Sequence, residues 1–388
     1  MNETSTNNET ITGTPGKKEL TIYFTVTTDL TYDQRMIRIC TSLSNAGYDV
    51  VLVGRELQAS LPLATQPFRQ VRLKCIAEKG KVFYAFYNLQ LFFFLFTKKM
   101  DCICAIDLDT ILPALFISRV KKIKRVYDAH ELFCEMKEIV TRPAIYKVWK
   151  KIEAYSVPRF RLGYTVNSPI AKEFKDMYDV NYDVVRNIAL LKTAPGITSQ
   201  KKFILYQGAV NEGRSFETLI PAFKMINLPL WICGDGNFLE QAKELVTIHQ
   251  LEDRVIFKGK LLPAELSEVT KQAYIGITLF ENRGLSNYYS LANRFFDYIH
   301  AGVPQLCVDY PVYRAFNDEI AVAVLVNDLS PENLAHQLNN LIHNEVVYKQ
   351  LRENCTLAKE KWNWQQEEKV LISFYDRVFT SRKKTDYA

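Results

Sequence analysis

The polar segment from Glu281 to Pro304 has the clearest potential for binding a charged ligand. It leads from an apolar run into a helical pattern, and Ser290 is a residue type that commonly caps a helix. Amides of the first helical turn bind phosphate because they are unpaired and carry the positive end of the helix dipole. The amides in question belong to Leu291, Ala292 and Asn293. An ordinary amphipathic helix with a serine cap explains the same pattern.

Asp297 lies further along this predicted helix, on the same side as Asn293. A carboxylate can accept a hydrogen bond on each oxygen, which suits the two neighbouring hydroxyl groups of a ribose. The segment therefore combines a candidate phosphate site with a candidate ribose ligand.

Arg214 follows the first predicted strand of the second half of the chain, and Gly208 and Gly213 bracket the loop that contains it. A guanidinium group at a strand end can bind a diphosphate through two charge-assisted hydrogen bonds. A solvated surface arginine is the equally reasonable alternative.

His130 ends the apolar run that begins at Val126, so it lies at the carboxyl end of a predicted strand. Ligands of parallel α/β sheets bind at this edge. An imidazole there can bond a sugar hydroxyl or transfer a proton, and a structural histidine bonded to a loop carbonyl is the alternative.

These residues are placed by short apolar runs that alternate with amphipathic stretches, the pattern of parallel α/β sheets. The alternation occurs twice. Predicted strands of the first half lie near residues 20–27, 49–53, 70–76, 101–106, 124–128 and 161–166, and those of the second half near 203–208, 230–234, 255–259, 275–280 and 304–308.

The chain of 388 residues is long enough for two domains, and a stretch rich in Pro, Gly, Thr and Ser separates the two halves. The sequence predicts a disordered tail at 1–18, a first domain at 19–190, a linker at 191–200 and a second domain at 201–362. Residues 363–388 are predicted to contain a helix that crosses back to the first domain.

Composition excludes several classes of protein. The net charge of +6 is mild for this length and does not require nucleic acid, and the eight scattered cysteines suggest reduced core residues of a cytosolic protein. Asp107 and Asp109 have the DxD spacing of some metal-dependent sugar-diphosphate sites, but a structural role at a strand end is favoured. No metal or cofactor is expected.

A basic and apolar surface is predicted around three parts of the first half: Phe92–Phe96, Arg119–Arg125 and the stretch from Ile145 to Ile152. Such a surface can contact an anionic membrane, where a lipid-linked partner would lie. A core-facing apolar stripe with a solvated basic back is the preferred alternative.

Four segments together resemble the GT-B glycosyltransferases of family 4. They are Thr27–Arg35, Tyr127–Glu131, Gly208–Arg214 and Asn287–Pro304. The resemblance covers about residues 20 to 380. It implies two Rossmann-like domains facing across a cleft, and a retaining transfer of a sugar from a nucleotide diphosphate sugar, usually without metal. The second domain would bind the donor and the first the acceptor.

The resemblance also implies individual roles. His130 would touch the donor sugar, Arg214 would neutralise the diphosphate together with the backbone at Gly208, and Asp297 would stand for the second acid of an E-x7-E motif. Gly234 and Gly236 would flank the nucleotide.

This chain departs from the family pattern at three places. The second acid of the motif, Asp297, is one methylene shorter than glutamate. Tyr289 stands where the first acid of the motif would lie, so the donor-sugar contact is either altered or supplied by Glu281. The loop that opens the first domain lacks glycine, and Arg35 or Asp33 is a candidate replacement for its diphosphate contacts.

The sequence thus predicts a cytoplasmic glycosyltransferase, peripheral at a membrane in one interpretation, that extends a glycan, a glycolipid or a related acceptor. Two alternatives stay open: a nucleotide-sugar epimerase or isomerase of the same fold, and a non-catalytic partner that binds nucleotide sugars.

Overall fold

The structure is a computed structural model that describes residues 20–31, 33–75, 77–78, 80–191 and 202–380. The predicted tail at 1–18 and the predicted linker beyond Leu191 lie outside the described residues, so both stay predictions. The same applies to the end of the chain after Thr380.

The first domain is built on a parallel sheet of seven strands. Its order is β3-β2-β1-β4-β5-β6-β7, with every paired strand parallel to its neighbour. The elements are β1 (Thr21–Thr25), α1 (Gln34–Asn45), β2 (Asp49–Glu56), β3 (Arg69–Lys74), α2 (Gly80–Phe96), β4 (Cys102–Ile106), α3 (Ile111–Lys121), β5 (Lys124–Ala129), α4 (Lys137–Val140), α5 (Pro143–Ser156), β6 (Leu162–Thr165), α6 (Ser168–Tyr178) and β7 (Asp183–Val184).

The second domain repeats this architecture with six parallel strands in the order β10-β9-β8-β11-β12-β13. The elements are β8 (Ile204–Gln207), α7 (Phe216–Ala222), β9 (Leu230–Cys233), α8 (Leu239–His249), β10 (Val255–Gly259), α9 (Pro263–Gln272), β11 (Ile275–Thr278), α10 (Leu285–Tyr288), α11 (Asn293–Ala301), β12 (Gln305–Val308), α12 (Pro311–Glu319), β13 (Ala323–Val326), α13 (Pro331–His343), α14 (Glu345–Lys361) and α15 (Trp364–Thr380).

Both sheets are covered by helices on two faces, which explains why their central strands are apolar throughout rather than alternating. All five residues of β4 are buried, as are all four of β8 and of β11. A helix must follow each strand to return the chain to the start of the next one. The carboxyl ends of the strands therefore collect the loops of each domain at one edge.

The last helix, α15, packs on the first domain. Its Trp364, Leu371, Phe374 and Tyr375 share a core with residues of the first sheet. The indole of Trp364 donates to Ser42 Oγ at 2.8 Å, and the Tyr48 hydroxyl donates to Asp376 at 2.6 Å.

The predicted two-domain parallel α/β architecture is confirmed, and each predicted strand is present. The short strands β7 and β13 are not among the predicted strands, because two and four residues at a sheet edge give little periodicity. Within the described ranges, no helix is long and apolar enough to cross a lipid bilayer.

Candidate functional site: a cationic cavity between the two domains

A cavity of about 380 Å³ lies between the carboxyl edges of the two sheets. Side chains of both domains line it, so the two halves of the chain share one site. The first domain contributes His130, Glu131 and Ile170. The second domain contributes Gln207, Gly208, Ala209, Arg214, Leu266, Phe280, Ser286, Asn287, Ser290, Leu291, Ala292, Asn293, Arg294 and Asp297.

Eight of the residues predicted from the sequence meet in this cavity. They are His130, Gly208, Arg214, Ser290, Leu291, Ala292, Asn293 and Asp297. The other four, Gly234, Gly236, Glu281 and Tyr289, are not part of its lining. The structure therefore brings together residues that are up to 167 positions apart (297 − 130).

Two guanidinium groups lie against one aromatic ring at the cavity wall. The guanidinium carbons of Arg214 and Arg294 are 4.5 and 4.6 Å from the ring centroid of Phe280. Among the described residues, no carboxylate lies within ion-pair distance of either group. Burial and the neighbouring Arg294 lower the pKa of Arg214. Glu131 of the same cavity interacts with Arg214 only at longer range. Two buried cations held close together with no carboxylate at contact distance suit an anionic ligand.

Arg294 was not among the predicted site residues. Its guanidinium is buried and donates to the Tyr206 hydroxyl at 3.1 Å and to the carbonyls of Gln207 and Leu279 at 3.3 Å. It occupies the first turn of α11, where a positive side chain is unfavourable because of the helix dipole. This position is the feature of the sequence that could have indicated a functional role for Arg294, because a cation there needs a partner other than the helix dipole.

The predicted N-cap at Ser290 is wrong. Helix α11 begins at Asn293, and its N-cap is Ala292. The Tyr313 hydroxyl explains the difference, since it accepts from the amide of Ala292 at 3.0 Å and lies 3.4 Å from Ser290 Oγ. The amide of Ala292 is thus already bonded. The first turn of α11 still faces the cavity, through Asn293 and Arg294.

Asp297 lies one turn after Asn293 and is held in place by a short chain of side chains. Its Oδ2 accepts from Gln207 Nε2 at 3.0 Å, and Gln207 Oε1 accepts from the Thr270 hydroxyl at 2.7 Å. Gln207 and Thr270 are buried. The carboxylate is therefore oriented before any ligand enters.

His130 is held between two carboxylates. Its Nδ1 lies 3.1 Å from Asp107 and its Nε2 3.6 Å from Asp128. Burial lowers the pKa of His130, but Asp107 and Asp128 outweigh burial and raise it to about 10. The imidazole is therefore a cation at neutral pH, and it can donate hydrogen bonds but cannot act as a base.

The candidate replacements at the start of the first domain have structural roles. Arg35 forms a buried ion pair with Asp128 at 2.6 Å, and Asp33 caps α1 by accepting from the amide of Met36. Neither lines the cavity. Asp107 and Asp109 also bond within the domain, to His130 and to the Thr27 hydroxyl respectively.

Gly234 and Gly236 serve the close approach of two loops. A Cβ atom on Gly234 would lie 1.8 Å from the carbonyl oxygen of Gly208, and one on Gly236 would lie 2.4 Å from that of Val210. These glycines let the loop after β9 pack under the loop after β8. Their position is explained without a nucleotide contact.

Tyr289 and Glu281 lie outside the cavity lining. The carbonyl of Tyr289 accepts from Asn167 Nδ2 of the first domain at 2.7 Å, and its ring packs against the first-domain core. Glu281 lies 3.4 Å from Arg283, and its amide donates to Gly213. Tyr289 thus joins the two domains.

Glu131 is a cavity residue that the sequence did not single out. Its Oε2 accepts from the Ser286 hydroxyl of α10 at 3.2 Å, which links the domains beside His130. Burial, reinforced by the charge of Asp107, raises the pKa of Glu131 to about 7. Glu131 belongs to Tyr127–Glu131, one of the segments that carry the family resemblance. Nothing in the local sequence pattern indicated that its side chain faces the second domain.

Comparisons with known proteins agree with this architecture. Sucrose-phosphate synthase from Thermosynechococcus elongatus aligns with 93% of this chain and 99% of its own, at 14% identity and a TM-score of 0.75. Anabaena HepE, solved in complex with UDP and glucose, aligns with 92% of this chain and 99% of its own, at 13% identity and a TM-score of 0.72. WaaG, described as a glycosyltransferase involved in lipopolysaccharide biosynthesis, gives 14% identity, 91% and 99% coverage and a TM-score of 0.70.

The chain has the GT-B fold of glycosyltransferases. Residues 188–362 match the family described as Glycosyl transferases group 1, so the matched segment comprises nearly all of the second domain and most of the cavity lining. A curated relative, the alpha-monoglucosyldiacylglycerol synthase of Streptococcus pneumoniae, is 27% identical over 114 residues, which are 28% of this chain. The match spans about a quarter of that relative, 26% of its length.

Proposed function

We propose that this GT-B chain is a retaining glycosyltransferase that takes a sugar from a nucleotide diphosphate sugar. The observation that supports this most directly is the pair Arg214 and Arg294 against Phe280, in a cavity that also receives the His130 cation from the opposite domain. Two adjacent guanidinium groups in a cleft between two domains suit a ligand with concentrated negative charge and a polar extension.

In the proposed reaction, the bond between the anomeric carbon and the diphosphate oxygen breaks, and a bond from that carbon to an acceptor hydroxyl forms on the same face. The acceptor oxygen is the nucleophile, so no protein nucleophile is needed. The hydroxyl proton goes to the leaving diphosphate. Negative charge develops on the diphosphate as its bond to the sugar breaks. Arg214 and Arg294 stabilise that charge because they are positioned and desolvated in advance.

Asp297 is the proposed ribose ligand. Gln207 already holds one of its oxygens, and the residue lies one turn along α11 from the cavity end of that helix. A diphosphate bound near the first turn of α11 would place the attached ribose within reach of this carboxylate. His130, on the other side of the cavity, would touch the transferred sugar.

The first test is binding. Calorimetry with UDP, GDP, ADP and TDP should give an affinity for one of them, and Arg214→Ala should lower it by about 10- to 100-fold, as expected for loss of a charge-assisted contact. Arg69→Ala is a matched control because Arg69 is 59% exposed and lies at the edge strand β3. Equal affinities for Arg214→Ala and the native chain would contradict the assigned role.

The second test identifies the reaction. Incubation with a radiolabelled sugar donor and a panel of glycan and glycolipid acceptors should move label from nucleotide to acceptor with retained anomeric configuration. Label that stays on the nucleotide in a changed stereochemical form would instead identify an epimerase or isomerase. Binding without turnover across the panel would identify a non-catalytic partner.

We further propose that the acceptor lies at an anionic lipid surface, which the first domain contacts through an exposed patch on α2, α3 and α5. The patch, called here the basic aromatic patch, has continuous contacts between its helices. Lys121 lies over the ring of Phe96, Arg119 donates to the Tyr155 hydroxyl, and Arg159 lies over the ring of Tyr155. Its exposed apolar members are Phe93, Phe96, Phe116 and Val120.

The charge of the patch favours an anionic partner. Helices α2 and α3 contain no Asp or Glu, and the one acidic residue of α5, Glu153, is buried and paired with Lys150. The basic side chains of the patch therefore face no acidic competitor on these three helices. Exposed aromatic groups with a positive surround are what a lipid interface binds, because the rings enter the headgroup region while the cations attract lipid phosphates.

Vesicle sedimentation tests this surface. The protein should bind vesicles of phosphatidylglycerol and phosphatidylcholine, and the double variant Phe93→Ser, Phe96→Ser should release it. A double variant on α14, Val346→Ser with Leu357→Ser, is the matched control, since those side chains are 79% and 65% exposed on the second domain. Equal sedimentation of both variants, or absence of binding to anionic vesicles, would overturn the proposal.

A further inference from the structure

The cavity lining contains two carboxyl groups, and they lie in different settings. Asp297 belongs to the second domain, and Gln207 occupies one of its oxygens. Glu131 belongs to the first domain and directly follows His130. Within the described residues, Ser286 is the one donor that the structure gives to the Glu131 carboxyl group.

Glu131 lies near the cationic end of the cavity. Ser286 and Asn287 are consecutive residues of α10; the first donates to Glu131 at 3.2 Å, and the second accepts from Arg214 at 3.3 Å. Helix α10 thus connects the carboxyl group to the guanidinium group through neighbouring side chains. A ligand group attached directly to an anion at Arg214 would lie beside Glu131.

The chemistry of a carboxyl group selects what it can contact there. A carboxylate repels a phosphate, but it accepts strong hydrogen bonds from neutral hydroxyl groups. Burial raises the pKa of Glu131 to about 7, so the group also exists in a protonated form that can donate. Tyr289 and Glu281 are both absent from the lining, and Asp297 is the one other acid among the described residues that line the cavity.

We propose that Glu131 binds a hydroxyl group of the transferred sugar and so contributes to the choice of donor sugar. This inference rests on the proposed function, because it assigns the part of the cavity beside the diphosphate to the sugar. The donor sugar would then be held from the first domain, and it would be recognised only when the two domains are together.

The test compares two affinities of the same protein. The nucleotide diphosphate and its sugar ester, UDP with UDP-glucose and the GDP, ADP and TDP counterparts, are titrated against native protein and Glu131→Ala. We expect Glu131→Ala to keep the affinity for the bare diphosphate and to lower that for the sugar ester by about 10- to 100-fold. Glu131→Gln retains a carbonyl acceptor of the same shape, and its loss should be smaller.

A control separates sugar binding from domain contact. Asn167→Asp keeps the side-chain oxygen that caps α6 but removes the Nδ2 donor to the Tyr289 carbonyl, so it breaks a domain contact between two residues that do not line the cavity. If Asn167→Asp changes the ratio of the two affinities as much as Glu131→Ala does, the effect is domain contact and the inference is wrong. An unchanged ratio in Glu131→Ala also overturns it. Failure of native protein to bind any nucleotide diphosphate would refute the proposed function itself.

Discussion

The two edges that face each other across the cleft treat their charged residues differently. In the first domain, Arg35 is paired with Asp128 and His130 lies between Asp107 and Asp128. In the second domain, Arg214 and Arg294 lie against Phe280, and among the described residues no carboxylate lies within ion-pair distance of either. Charges that neutralise one another hold a loop in shape, whereas desolvated charges of one sign are stabilised by a ligand. We therefore assign a structural role to the charged residues at the first-domain edge and anion binding to those at the second-domain edge.

Breaking the buried pair should have the largest effect on folding. Arg35→Ala leaves Asp128 buried without its main partner, so we expect the free energy of unfolding to fall by about 3 to 5 kcal/mol. Urea denaturation measures this change. Arg214→Ala in the same assay should change little, and a similar loss in both variants would remove the distinction between the two edges.

The His130 cation predicts a pH dependence of stability. Its folded pKa of about 10 exceeds the ordinary 6.5, so its contribution to stability is fully present below about 6.5 and is lost as pH rises from there through about 10. The free energy of unfolding should therefore decrease with rising pH, by at most about 1.4 kcal/mol per pH unit. Urea titrations near neutral pH and two units higher should show a steeper decrease for native protein than for His130→Gln. Identical slopes would contradict the ion-pair assignment.

Replacing Arg294 should combine the effects expected for the structural residue Arg35 and for the anion-binding residue Arg214. Arg294→Ala removes the guanidinium that donates to the Tyr206 hydroxyl and to two carbonyls. We expect this loss to lower the free energy of unfolding by about 1 to 3 kcal/mol. It should also weaken nucleotide diphosphate binding, as Arg214→Ala does. Paired denaturation and calorimetry would show both losses for Arg294→Ala and only the second for Arg214→Ala. A loss of stability alone would make Arg294 purely structural.

The smallest expected effect concerns the start of α1. Asp33→Ala removes the side-chain acceptor for the Met36 amide and should destabilise the protein by about 1 kcal/mol. Asp33→Asn keeps a good capping group and serves as the control. Neither variant should alter nucleotide affinity, and a loss of affinity in Asp33→Ala would return this loop to the binding site.

The sequence predicted the architecture well because its signal is repeated. Apolar runs such as those of β4 and β8 are buried throughout, and each is followed by a helical stretch, so each unit supports the same interpretation. The residues at strand ends followed from this, since parallel strands bring their carboxyl ends to one edge. His130 and Arg214 could therefore be placed in one cleft before any coordinates.

The features that the sequence did not predict correctly, or did not predict at all, depend on contacts between distant segments of the chain. Ser290 does not cap α11 because Tyr313, 23 residues later, bonds the amide of Ala292 and lies beside the serine hydroxyl. Gly234 has its place because a second loop crosses it at Gly208. Glu131 faces the cavity only because α10 of the other domain reaches it. No local pattern contains this information, since the partners are brought together by the tertiary fold.

The return of α15 to the first domain has a consequence for synthesis. Trp364, Leu371, Phe374, Tyr375 and Val378 form part of the first-domain core, although the other buried residues of that core precede residue 190. The first domain to leave the ribosome therefore lacks one wall of its interior until the last helix has been made. Its apolar face stays open while the whole second domain is being translated, so final closure of the earlier-made half must wait until α15 has been made.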